Sequence, residues 1–457
     1  MASSLATSDL KAPTPPTEDQ SSPDSAILSG TFALLLFAPL AFGGGTPWAL
    51  FILETGSAVL LGFWILRQTR GNEVRIRDNP LFPPMLAFAG LTFVQLLFGW
   101  TAYWHDTFSQ ALQYFVYAAL AFLAVQTLKR SSQAKALGVI ISTYGFAVAS
   151  FALLQGLSPN GKIYWIKTPQ HGGWIYGPYT NHNHYAGLME LLVPVPLVFC
   201  LSRYARGRIR TLAAIGAAVM ASTIFFSGSR GGMLAFIVEL IVLGMVIIRM
   251  QRGTVVATRI GVFAALVVVL LIWIGGIELT KRVATIGTET KQELAGGLRT
   301  TINRDGLRMF AKKPILGWGL GTFPTAYPQF RSFYTNFFIN EAHDDYLQLL
   351  VEMGSVGFAI MVWYLVLFYR NAVKKLQDWP NNINGAVTLA CLLGCTGILV
   401  HSFVDFNLQV NANAALFYVF CAVGASPHAI ESRQRVRRAR SPHPRDPEVA
   451  TPEEPSE

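Results

Sequence analysis

GGMLAFIVELIVLGMVIIRM, residues 231–250, carries only Glu239 and Arg249 as charged residues in a run of apolar side chains. A helix of about 20 such residues is about 30 Å long, the thickness of a bilayer's hydrocarbon core. On one side of the stretch stands a polar turn, FSGSRGG (226–232); on the other come Arg249, Arg252 and Arg259. Similar windows recur near 26–44, 48–66, 83–101, 110–127, 137–156, 184–201, 210–227, 256–277, 353–371, 385–403 and 411–425. A chain of 457 residues that is 52% hydrophobic and only 14% charged is too apolar for a soluble domain of that size. The expected fold is therefore all-α: a polytopic membrane protein with about 12 transmembrane helices. Pro39, Pro194 and Pro196 fall inside expected spans, where proline kinks a helix rather than excluding it.

Loop charge gives the orientation. One set of short loops holds Arg67, Arg70, Arg75 and Arg77, then Lys129, Arg130 and Lys135, then Arg203, Arg206, Arg208 and Arg210. It continues through Arg249, Arg252 and Arg259 to Arg370, Lys374 and Lys375. The opposite loops, 43–47, 101–109 and 402–410, hold no Lys or Arg. The positive-inside rule puts the first set, and both termini, in the cytoplasm. One long loop, 278–352, falls on the external side yet carries Lys281, Arg282, Lys291, Arg299, Arg304, Arg308, Lys312, Lys313 and Arg331. Long loops cross regardless of charge, and a cationic segment at the outer surface points to an anionic partner there.

Flanking the membrane unit at 26–425 are two expected tails. Residues 1–25 are polar and proline-containing, read as a disordered cytoplasmic tail without the basic start or cleavage site of a secretory signal. Residues 426–457 hold Arg433, Arg435, Arg437, Arg438 and Arg440 before a Pro/Glu-rich end, a second disordered tail suited to anionic membrane lipids rather than nucleic acid. The net charge of +10 reflects this topology. All four cysteines, Cys200, Cys391, Cys395 and Cys421, lie in expected spans and form neither a disulfide framework nor a metal-binding pattern.

The external loop carries the chemistry. RTTINRDGLRMFAKK (299–313) has helical periodicity: Ile302, Leu307, Met309 and Phe310 gather on one side, Arg304, Arg308 and Lys312 on the other. This is an amphipathic helix at the outer leaflet. Arg299 falls in the middle of the apolar face, where it needs an ion pair or an anionic ligand. PILGWGLGTFP (314–324) is a Gly/Pro-rich turn; no Lys-Ser/Thr follows, so it is not a P-loop. In HDDYLQLLVEMGSVG (343–357), His343 shares a helix face with Leu347 and Leu350, and histidine suits proton transfer near neutral pH. Arg230 stands at the mouth of a span, either snorkelling to headgroups or binding phosphate. TNHNHYAGLME (180–190) sets Asn183 and His184 before a span that buries Glu190. Its His-x-His spacing has no third ligand, which favours hydrogen bonding over metal. Glu54, Glu190 and Glu239 are intramembrane acids, candidates for function or for interhelical pairing.

SGSRGG at the start of a span, an arginine fifteen residues before PILGWGLGTF, and HDDYLQLLVEMGSVG, in that order, resemble the O-antigen ligase and polysaccharide polymerase superfamily over about residues 180–425. HSFVDFNLQVNANAALF (401–417) looks like its closing segment. The resemblance implies a glycosyltransferase in the inner membrane with its site on the periplasmic face. Its donor is a glycan on a polyprenyl diphosphate; its acceptor is a sugar hydroxyl on lipid A–core or on a growing glycan. By the same resemblance His343 activates the acceptor and Arg230 and Arg299 hold the diphosphate. Asn183, His184, Glu190, Asp344 and Arg304 are further substrate-binding candidates, and no metal, nucleotide or other cofactor is implied. Two positions depart from the family habit: Asn303 stands where Trp is frequent, and Asp344 follows the histidine where Asn is frequent. The order and spacing of the loop motifs lean towards a ligase. A secondary transporter of a small anion, dependent on Glu54, Glu190 or Glu239, and a non-catalytic envelope scaffold are the alternatives from other classes.

Overall fold

In the computed structural model, residues 21–70, 74–169, 174–249, 258, 260–272, 298–336 and 338–430 are described. The tail 1–20, Arg252, Arg259, Lys281, Arg282, Lys291 and the basic C-terminal cluster lie outside the described residues. Among the described residues the regular structure is helical, and isolated β-bridges join Ile163 to Lys167 and Tyr176 to Tyr179.

The helices run α1 (Ser21–Leu40), α2 (Pro47–Arg70), α3 (Phe82–Leu97), α4 (Trp104–Thr127), α5 (Ser131–Leu157), α6 (His182–Leu192), α7 (Pro194–Leu201), α8 (Gly207–Ser227) and α9 (Arg230–Arg249). They continue with α10 (Ile260–Ile272), α11 (Leu298–Lys312), α12 (Phe323–Ala326), α13 (Asp345–Lys374), α14 (Ile383–His401) and α15 (Asn411–Ala425). Nine segments among the described residues are long and apolar enough to cross a membrane, α6 and α7 counting as one. Three other expected spans fall on the shorter apolar helices α3, α10 and α15. Exposed Phe51, Phe63, Leu86, Phe93, Ile248 and Val269 give the bundle an apolar outer surface, as lipid contact requires.

Local chemistry sets the ends of the helices. Asn181, Asp344 and Asn382 cap α6, α13 and α14 by accepting backbone amides. Gly228, left-handed at φ 79°, closes α8. Pro194 and Pro196 divide the span at 184–201 into α6 and α7. The first helix begins at Ser21, inside the stretch expected as tail, because buried Asp24 is ion-paired with Arg67 and with Lys129 at 3.0 Å. Near the centre, α14 is buried along nearly its whole length against α6, α9 and α15.

One helix is broken on purpose. Within α13, Gly354 has φ 64° and ψ −170°. The break frees the carbonyls of Val351 and Glu352, which accept the amides of Trp318 at 2.9 Å and Gly319 at 2.8 Å. In return, Ser355 and Val356 donate to the carbonyls of Pro314 (2.8 Å) and Ile315 (3.2 Å). The turn 314–321 is thus stitched into the gap, which satisfies backbone groups that lipid could not. The Glu352 carboxylate accepts from Gly321 N at 2.8 Å and Phe323 N at 3.2 Å, and Gln95 of α3 donates to Leu316 O at 2.7 Å. The glycines therefore serve backbone packing.

A Cβ at position 354 would collide with the Ile315 carbonyl and impose a strained positive φ. Gly354→Ala is expected to cost on the order of 3 kcal/mol and to lower the thermal unfolding midpoint in detergent. Gly62→Ala in α2, where a Cβ meets nothing within 4 Å, is expected to leave that midpoint unchanged or slightly raised.

Candidate active site at one end of the bundle

The starts of α6, α9 and α13, the end of α14 and the first turn of α11 meet at the link 402–410 between α14 and α15. Asp405 lies at its centre with a side chain only 1% exposed. One oxygen accepts the Asn183 amide; the other is 3.6 Å from His343 Nδ1, beyond hydrogen-bond length but a direct electrostatic contact. The His343 side chain is 29% exposed, so the ring has one nitrogen towards a buried acid and its other edge free for solvent or substrate. Phe406 packs edge-on against both His343, at 4.8 Å between centroids, and His184, at 4.6 Å. Burial alone would raise the Asp405 carboxyl, but its contact with His343 and the neighbouring His184, Arg299 and His401 outweigh burial and hold it well below the usual carboxylate range. The acid is therefore ionised at neutral pH. His343 itself is held at φ 58°, a left-handed backbone uncommon outside glycine and concentrated at functional positions.

Arg299 reaches the same segment: its Nη1 donates to Val404 O at 3.2 Å, one residue before Asp405. The turn bearing Arg230 approaches from α9. A Cβ on Gly231 would come within 2.8 Å of Val404 and 2.5 Å of His401, so only glycine lets that turn lie so close. The Arg299 guanidinium and the backbone of the turn that carries Arg230 thus come from separate helices to residues 401–405, beside the His343–Asp405 pair.

The remaining candidates are placed as follows. Asn183 is drawn into the site by Asp405. His184 is buried, with Asn181 Nδ2 3.3 Å from its Nε2. Glu190 is completely buried and pairs with His401, 2.7 Å from Nδ1. Asp344 caps α13 through Tyr346 N and Leu347 N, each at 3.0 Å. Arg304 points to the exposed side of α11. The apolar face expected for that helix differs at two positions, Arg299 and Leu307, both of which are exposed. Ile302 and Met309 are buried, but Leu307 is 56% exposed, and buried Asp305 takes the inward position. Asp305 accepts Ser332 N (2.9 Å), Ser332 Oγ (3.0 Å), Tyr327 OH (3.3 Å) and Arg308 Nη1 (3.1 Å), tying the loop to α11. Among the described residues no group of three or more His, Cys, Asp and Glu is arranged to hold a metal ion.

Asp405, His401 and Ser229 were not singled out by sequence reasoning. Their signal was present in HSFVDF and SGSRGG, where an acid four residues after a histidine stands beside the end of a span.

These features define a multi-pass helical membrane protein with a buried acid, Asp405, facing a partly exposed histidine, His343, and with Arg299 beside them at one end of the bundle. Residues 215–362 match the family model described as O-Antigen ligase. That match, which contains Arg230, Arg299 and His343, supports the O-antigen ligase superfamily and a membrane glycosyltransferase of ligase or polymerase type acting on a lipid-linked glycan. No curated protein matches the chain.

A pH dependence follows from Glu341, two residues before His343. Burial, reinforced by the carboxylates of Glu352, Asp405 and Asp345, pushes its carboxyl up to about 8 from the usual 4.5. The folded protein then holds a proton that the unfolded chain releases, so this contribution is full below about pH 4.5 and is lost as pH rises towards about 8. Glu341→Gln is expected to match wild type in thermal midpoint near pH 4 and to exceed it at pH 8, read by thermal unfolding across that range.

Proposed function

We propose that the protein transfers a glycan from a polyprenyl diphosphate to a sugar hydroxyl at the external face of the inner membrane, as an O-antigen ligase-like enzyme. The observation carrying this reading is the juxtaposition of partly exposed His343 with buried Asp405, 3.6 Å away, next to the Val404 carbonyl to which Arg299 donates. Asp405 orients the ring so that Nδ1 carries its proton towards the carboxylate, leaving Nε2 as the base. The acceptor hydroxyl attacks the anomeric carbon, a new C–O bond forms, and the C–O bond to the diphosphate breaks with its electron pair going to the diphosphate. The hydroxyl proton passes to His343 Nε2. Direct displacement inverts the anomeric centre. Charge accumulates on the leaving diphosphate, and Arg230 and Arg299 are preorganised to stabilise it in a partly dry site. The polyprenyl chain remains in the bilayer, which sets the scissile bond at headgroup level, and a site at one end of the bundle supports that placement. Asn183 holds Asp405 in place, and Asp344 and His184 frame the acceptor side.

The donor chemistry is common to ligases and polymerases, and the acceptor separates them. Purified protein in nanodiscs, given a polyprenyl-diphosphate oligosaccharide and a panel of acceptors including lipid A–core, is expected to transfer glycan to lipid A–core. Transfer only to free glycan chains would instead make it a polymerase. His343→Asn, which suits the left-handed backbone, and Asp405→Asn are each expected to reduce turnover by about 10²-fold or more with folding intact. Arg299→Ala and Arg230→Ala are expected to reduce it by a similar factor. No transfer to any acceptor, or full activity in the His343 variant, would overturn the reading.

A further inference from the structure

Beneath the site, three buried polar side chains form a string that the transfer chemistry does not use. Glu190 of α6 is completely buried, with Oε1 2.7 Å from His401 Nδ1. His401, the last residue of α14, has Nε2 3.4 Å from Ser229 Oγ. Ser229 precedes α9, and its hydroxyl accepts the Gly232 amide at 3.1 Å, the capping bond of the helix's first turn. With Glu190 ionised, His401 donates from Nδ1 to the carboxylate, and Ser229 donates its hydroxyl hydrogen to Nε2. Every member is at most 1% exposed, so none can touch a ligand without the fold opening.

The turn is shaped around this string. A Cβ on Gly231 would lie 2.6 Å from His401 Nε2, and one on Gly232 would lie 2.7 Å from Ala186 Cβ and 3.1 Å from Glu190 Oε1. The two glycines let the first turn of α9 rest directly on the Glu190–His401 pair. Between Ser229 and Gly231 in that turn stands Arg230. Burying a carboxylate and an imidazole is costly unless each is hydrogen-bonded. Glu190 Oε1 and both His401 ring nitrogens have partners in the string, while Glu190 Oε2 has none among the described residues, and the shared bonds restrict the geometry of the three elements they join.

We infer that Glu190, His401 and Ser229 are positioning residues for Arg230: the string locks the first turn of α9 and thereby aims the guanidinium at the diphosphate. This rests on the proposed role of Arg230 and moves Glu190 from substrate binding to support of a binding residue.

A double-mutant cycle on binding of undecaprenyl diphosphate in nanodiscs tests it. Ser229→Ala and Glu190→Ala are each expected to weaken binding about 5–10-fold in the wild-type background, and to add less than about 2-fold when Arg230 is already Ala. Glu190→Gln, whose amide oxygen still accepts from His401, is expected to restore most of the loss. Equal weakening in both backgrounds, or no weakening, would overturn the inference. Amide hydrogen exchange at residues 229–233 gives a readout independent of the lipid. It is expected to quicken in Glu190→Ala, which loses the acceptor, and to remain near wild type in Glu190→Gln. If wild-type protein binds no lipid diphosphate, the proposed function fails; unchanged exchange at 229–233 in Glu190→Ala then rejects the string as well, by itself.

Discussion

Asp405 is the group around which this end of the molecule is assembled. Its carboxylate is buried and ionised, so it must be surrounded by donors and positive charge, and those partners come from elements far apart in the chain. Asn183 brings the start of α6, His343 the approach to α13, and the neighbouring Val404 carbonyl holds Arg299 from α11. The same short link binds α13 directly: Asp345 N donates to Ser402 O at 3.0 Å, and Leu408 N donates to Asp345 Oδ2 at 3.0 Å. A link of nine residues, 402–410, between two helices thus serves as the common anchor of three others, α6, α11 and α13. Removing that one charge would leave several donors facing an empty acceptor position.

The broken helix solves a related difficulty. A loop that is to sit on the bundle end needs partners for its backbone, and neighbouring lipid offers none. Interrupting α13 at Gly354 exposes two carbonyls and two amides at a defined height, and the turn 314–321 uses all four. The loop is therefore held by backbone geometry, and its exposed side chains remain available for ligand contact.

Much of this was legible in the sequence because the membrane imposes simple rules. Apolar runs marked the helices. Arg299 drew notice as an arginine expected on an apolar face; it is instead exposed, and its guanidinium donates to the Val404 carbonyl. What was hidden depends on tertiary pairing. Asp405 sits in a short polar link, where an acid looks like ordinary loop decoration. Glu190 stood out as an intramembrane acid, but its partner His401 is 211 residues away, and no local pattern joins them. Leu307 shows the limit of the helical wheel: the inward position went to Asp305 because the loop 327–332 supplied three hydrogen bonds, and Arg308 of the same helix a fourth, that a leucine could not accept. The break in α13 was invisible for a similar reason, since one glycine in an apolar run is compatible with an unbroken helix.

All four cysteines are buried and form no disulfide, with Cys395 and Cys421 3.5 Å apart between helices. The native protein therefore offers aqueous alkylating reagents no accessible thiol. A single cysteine introduced at an exposed site such as Arg304 or Ser158 becomes the sole address for a membrane-impermeant maleimide. The packing of four unremarkable sulfurs leaves the molecule ready for mapping each loop to its side of the bilayer in intact cells, with no background to subtract.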